Sequence, residues 1–89
     1  MDDPFPALVV LLARLEDERP YVTDDDLCSP GALPLAEDAC RALVAAAIAD
    51  RRLFTDLRER LDPATGATSP VRLVRLNRRH PAVLAHLPD

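Results

Sequence analysis

Hydrophobic positions fall into short periodic runs, and the clearest is Leu35–Asp50, LAEDACRALVAAAIAD, the longest stretch with a single helical reading. Ala36, Ala39, Cys40, Leu43, Val44, Ala47 and Ile48 recur at helical spacing and predict one broad apolar face. The opposite face, Asp38, Arg41, Ala42, Ala45, Ala49 and Arg52, is mostly alanine. Alanine is the best helix former, and its small side chain lets another surface approach closely. Pro34 is placed to open the helix, because a first turn needs no backbone N–H there. Glu37 and Asp38 put negative charge where the helix dipole favours it.

Upstream, Leu8, Leu11, Leu12 and Leu15 form a stripe within a helix expected over Phe5–Glu18, widened by Val9 and Val10. Asp2 or Asp3 is placed to cap it, with Pro4 and Pro6 tolerated in the opening turn. Glu16, Asp17 and Glu18 lie near its C-terminus, where the dipole disfavours acids, so they are either solvated or an acidic contact surface. Arg19-Pro20 ends the helix, since proline disfavours a helical residue before it. Tyr21-Val22-Thr23 is short and β-prone. Thr23 followed by Asp26 outlines a capping box, which predicts a short helix over about Asp24–Cys28, stopped by Ser29-Pro30-Gly31.

Downstream of Asp50 two readings compete. Leu53, Leu57 and Leu61 fit a continuing helix, while alternation through Phe54, Asp56, Arg58 and Arg60 fits a half-buried strand. Asp62–Thr68 is a turn region, and Val71–Leu76 is strand-like without turn residues. A strand there needs a partner, which favours a hairpin with strands near 53–61 and 70–77. A short terminal helix is expected within His80–Leu87, with Val83, Leu84 and Leu87 on one side.

Composition narrows the class. The 89 residues predict a single domain, 1–89, and 48% hydrophobic content argues against disorder. Aromatics are scarce, so the core must be Leu, Val, Ile and Ala. All eleven basic residues are arginine, which reads first as a coding bias. The net charge of −4 hides an asymmetry: residues 1–50 carry three Arg and eleven acids, −8, and residues 51–89 carry eight Arg and four acids, +4. This points either to a face for nucleic acid or an acidic partner, or to two halves that attract each other. The acidic start lacks the basic region of a signal peptide, and the apolar run Ala7–Ala13 is too short to span a bilayer, so no membrane association and a reduced, cytoplasmic setting are expected.

The order helix, short strand, short helix, turn, long helix, hairpin resembles the winged helix-turn-helix, over roughly residues 7–87. Tyr21–Leu27 looks like the strand entering the second helix, and Leu43–Phe54 like the third helix leading into the first wing strand. Val71–Pro81 looks like the returning wing strand and its exit; winged-helix regulators often leave the wing through a similar Arg-Leu-Asn, then His-Pro. The resemblance to small bacterial or archaeal transcriptional regulators implies an α+β winged helix: three helices, a C-terminal β-hairpin wing and a short terminal helix.

It also implies DNA binding, with the third helix in the major groove and the wing on the backbone or minor groove. Arg41, Arg51, Arg52, Arg58, Arg60, Arg72, Arg75, Arg78 and Arg79 are the candidate phosphate contacts. Glu37 and Asp38 depart from that pattern at the helix end that usually meets bases. The alanine face has few groups to read base edges, and the wing tip, Pro63–Ser69, has no basic residue. Winged helices also serve as protein-interaction modules, so the alternative is a module that binds a protein partner or itself as a homodimer, through the alanine face or the apolar first helix.

Other chemistry is not expected. Cys28, Cys40, His80 and His86 are a nominal zinc set, but the twelve-residue cysteine separation is too long for a zinc-finger knuckle. Both cysteines are expected reduced, metal-free and packed as small hydrophobes. Asp24, Asp25 and Asp26 lack the alternating ligands and glycine of a calcium loop. No phosphate-binding glycine loop is present, so neither a cofactor nor enzymatic activity is expected.

Overall fold

The computed structural model describes residues 3–88. Six elements follow in order: α1 (Phe5–Glu18), α2 (Asp24–Leu27), α3 (Glu37–Ala49), β1 (Leu53–Leu61), β2 (Thr68–Leu76) and α4 (Pro81–Leu84). The described residues form an α+β fold of four helices and one two-stranded antiparallel hairpin.

α1 has the bounds its pattern predicts. Asp3 holds its start, Oδ1 accepting the Phe5 N–H at 3.0 Å; Asp2, the alternative cap, lies outside the described residues. Phe5, Leu8, Val9, Leu11, Leu12, Ala13 and Leu15 are buried. Val10 is exposed, so the apolar face widens on the Val9 side only. Arg19 is extended and donates its N–H to the Leu15 carbonyl, closing the helix before Pro20.

The capping box at Thr23 forms in both directions. The Asp26 N–H donates to Thr23 Oγ1 at 3.3 Å, and the Thr23 N–H donates to Asp26 Oδ2 at 2.9 Å. The helix it starts is one residue shorter than expected, with Cys28 as its C-cap. α3 begins later than Pro34 suggests. Leu33 is buried and Leu35 packs partly against the core, so the chain is still crossing the core there. Ala36 is the N-cap, with no side-chain hydrogen bond. The apolar face of α3 is also narrower than its pattern: Cys40, Val44 and Ala47 are buried, Leu43 and Ile48 partly so, and Ala36 and Ala39 are exposed.

Arg51 decides between the two readings of the segment after Asp50. Its φ of 61° is left-handed, an uncommon state for a residue with a Cβ. Its N–H donates to the Ile48 carbonyl at 3.1 Å and the Arg52 N–H to the Ala47 carbonyl at 2.9 Å. That is a Schellman stop, with arginine where glycine usually stands. Asn77 Nδ2 holds the reversed peptide by donating to the Arg51 carbonyl at 2.7 Å. The chain therefore leaves the helix axis, and 53–61 is a strand.

β1 and β2 pair in the register Leu53↔Leu76 through Leu61↔Thr68. β2 starts two residues earlier and ends one earlier than its pattern suggests, because Thr68 and Ser69 also join the ladder. In the turn, Asp62 Oδ1 accepts the Ala64 N–H at 2.9 Å, and Gly66 takes the positive φ of 73°. The outer side of β2 meets the extended segment before α2: Thr23 bridges Leu73, and the Val74 N–H donates to the Val22 carbonyl at 2.8 Å.

The core joins α1 to Leu27, Val44, Leu53, Val74 and Val83. α4 is capped by His80, whose Nδ1 accepts the Ala82 N–H at 3.1 Å. It is shorter than the expected segment and buries Val83, with Leu87 partly covered and Leu84 exposed. One turn anchored by a single valine cannot bring both leucines to one side.

Candidate functional site

The nine candidate arginines do not form one free basic surface. Arg41 is held by three acids: Asp25 at 2.9 Å, Glu37 at 3.0 Å and Asp24 at 3.9 Å. Its hydrogen bond to Asp25, and next that to Glu37, raises its pKa above the ordinary arginine value. Arg52 pairs with Asp50 at 3.0 Å and lies over the Phe5 ring, 4.7 Å from its centroid. Arg58 pairs with Asp56 at 2.8 Å on the same strand.

Glu16 takes two more. It accepts the Leu76 N–H at 3.2 Å through Oε1, pairs with Arg78 at 3.1 Å through Oε2, and lies 4.0 Å from Arg75. Its side chain is mostly buried, so it is neither solvated nor a contact surface; it ties α1 to the end of β2. The opposite charges of the two halves therefore meet within the molecule at this point. Arg51, Arg60, Arg72 and Arg79 have no ion-pair partner among the described residues.

An open groove of about 670 Å³ separates α2 and the start of α3 from the hairpin. Asp24, Asp25 and Asp26 line one side and Leu57, Arg60 and Arg72 line the hairpin side, with Arg41 at the helix. The surface around the start of α3 is thus acidic, and the alanines at 42, 45, 46 and 49 are exposed beside it.

The hairpin is covered only at its base. Leu53, Val74 and Leu76 are buried, whereas every residue of β1 from Phe54 to Leu61 is exposed. Phe54, Leu57 and Leu61 are 56%, 69% and 62% exposed, and nearby Tyr21 is 67% exposed. Sequence periodicity marks these leucines as half-buried in either reading, because it counts apolar positions without knowing how far the body reaches along the strand.

Cys28 and Cys40 are both buried and free, with Sγ atoms 3.0 Å apart. Cys40 Sγ also lies 3.4 Å from the Leu27 carbonyl. Burial, followed by the hydrogen bond with Cys40, pushes the Cys28 thiol from 9.0 up to about 12. Their juxtaposition has no sequence signal beyond Cys28 falling at a helix end and Cys40 on an apolar face. Among the described residues no three His, Cys, Asp or Glu side chains converge as a metal site. His86 instead meets the Phe5 ring edge-on at 6.3 Å. No helix among the described residues is long and apolar enough to cross a membrane.

Comparison with protein-family models, curated proteins and solved structures finds no match for this chain.

Proposed function

We propose that this chain is a winged-helix-type protein-interaction module that docks through its hairpin and does not read DNA. The element order supports the winged-helix part, as does the bridge from Thr23 to Leu73, which adds a short outer strand to the hairpin. The observation that carries the functional part is the exposure of Phe54, Leu57 and Leu61 along one strand beyond the body. Leu57 and Leu61 share one face of that strand and Phe54 lies on the other, and exposed apolar side chains grouped on one face mark a contact surface. The helix that would enter a major groove supports the same reading. Its start is ringed by Asp24, Asp25, Glu37 and Asp38, its one arginine is held by three of them, and its outer face is alanine.

A second reading, a DNA-binding regulator, is favoured by one observation: Arg51, Arg60, Arg72 and Arg79 lack ion-pair partners among the described residues and are able to hold phosphates. A mobility-shift titration with random duplex at low salt separates the two. The interaction reading expects no complex. A complex that weakens steeply as salt rises overturns it in favour of the regulator.

A further inference from the structure

The two edges of the hairpin differ. The outer edge of β2 is occupied: the Val74 N–H bonds Val22, Thr23 bridges Leu73, and the Leu76 N–H bonds Glu16. Pro70 also removes a donor from that edge. Among the described residues β1 pairs with β2 alone. The pairs flanking the ladder fix which of its backbone groups are spent. The Asn77 N–H donates to the Arg52 carbonyl and the Asp62 N–H to the Ala67 carbonyl, both in the register of the strands. Antiparallel ladders alternate, so the even-numbered residues of β1 bond β2. The N–H and C=O groups of Thr55, Leu57, Glu59 and Leu61 point the other way, at a strand edge with neither proline nor lysine to blunt it.

We propose that this edge pairs antiparallel with the same edge of a second copy of the chain, about a two-fold axis at Leu57. The proposal rests on the interaction reading above and names the partner. β1 reads Leu-Phe-Thr-Asp-Leu-Arg-Glu-Arg-Leu, and turned on itself about Leu57 it is self-complementary. Leu57 meets Leu57 of the second copy, Asp56 meets Arg58, Arg58 meets Asp56, and Phe54 meets Arg60. The parity agrees: Leu57 with itself and Thr55 with Glu59 are pairs of free-edge residues, so each exchanges two backbone hydrogen bonds. The charged pairs fall at the intervening positions, where opposed side chains lie closest.

Neighbouring registers lose this match. An axis at Asp56 sets Asp56 against itself, one at Arg58 sets Arg58 against itself, and one at Glu59 opposes Glu59 to itself and Arg58 to Arg60. Charge therefore favours the Leu57 register over those three. An isologous contact of this kind closes on itself and leaves no edge for further growth along β1.

Sedimentation of the full chain between roughly 10 µM and 1 mM covers the range a small edge contact calls for. The mass should rise from 9.8 kDa towards twice that value. Asp56→Arg and Arg58→Asp should each weaken dimerisation roughly tenfold or more by opposing like charges, and the double swap D56R/R58D should restore it. These side chains are exposed, so the fold does not depend on them. Amide exchange reads the register directly: protection of Thr55, Leu57 and Glu59 should rise with concentration, while Asp56 and Arg58, already bonded to β2, should not change. A monomer at every concentration overturns the second copy as partner, and leaves the interaction reading standing if duplex binding is also absent. A dimer without rescue by the swap, or with protection elsewhere, overturns the edge and its register. Salt-sensitive duplex binding overturns the reading beneath both.

Discussion

The helical body and the hairpin are built on different principles. In the body, Leu8, Val9, Leu12, Leu27 and Val83 are fully buried, and position follows from apolar area removed from water. In the hairpin only the base is buried, and the outer strands rest on their ladder, the Asp62–Ala67 turn and cross-strand neighbours. A two-stranded ribbon alone is marginal in water, so it borrows its stability from the base, where Leu53, Val74 and Leu76 enter the core and Glu16 anchors the end of β2. The difference separates tasks: the body fixes the fold, and the outer hairpin leaves apolar side chains and backbone groups exposed, which the proposed docking would use.

The sharpest test of that division is a matched pair of truncations. Leu12→Ala should cost about 2–5 kcal/mol in denaturant unfolding, as a fully buried leucine leaves a cavity. Leu57→Ala, at 69% exposure, should stay within about 0.5 kcal/mol for the dilute monomer. A comparable loss at both sites would erase the distinction between the regions.

Alkaline pH probes the body through Cys28. With the Cys28 thiol at about 12 in the folded chain against 9.0 ordinarily, the unfolded chain gives up its proton first as pH rises. Stability is therefore fully present below pH 9 and falls between 9 and about 12. The fall is at most about 1.4 kcal/mol per pH unit, the slope of one titrating proton. Denaturant midpoints across that range should drop more steeply than in Cys28→Ala.

The smallest effect lies at the joint between the regions. Arg51→Gly relieves a left-handed arginine, against the larger backbone entropy glycine loses on folding. The net should be a gain of about 0.5–1 kcal/mol, read as a rise in thermal midpoint. No gain, or a loss, would mean that contacts of the arginine side chain hold the turn.

Where backbone conformation is governed by nearby residues, the sequence is legible. Arg19-Pro20 ends α1, Thr23 and Asp26 start α2, and the turn chemistry of 62–68 joins two β-prone runs. The later start of α3 is not legible, because Pro34 permits a helix while Leu33 and Leu35 are drawn into a core that the local pattern does not show. The site is harder still. A list of arginines carries no record of which acids lie across space from them, so the capture of Arg41 by Asp24 and Asp25, and of Arg78 by Glu16, is invisible along the chain.

The sequence by itself determined the helices, the 62–68 turn and the strand-like run after it, because caps, prolines and periodicity act over three or four residues. It also carries the self-complementary order of β1. Only the tertiary structure decided that 53–61 leaves the helix, since a left-handed Arg51 held by Asn77 is a contact across 26 residues. The same holds for the meeting of Cys28 with Cys40 and for the exposed edge of β1. Each depends on which surfaces the body can reach and cover, and burial is a property of the packed chain as a whole.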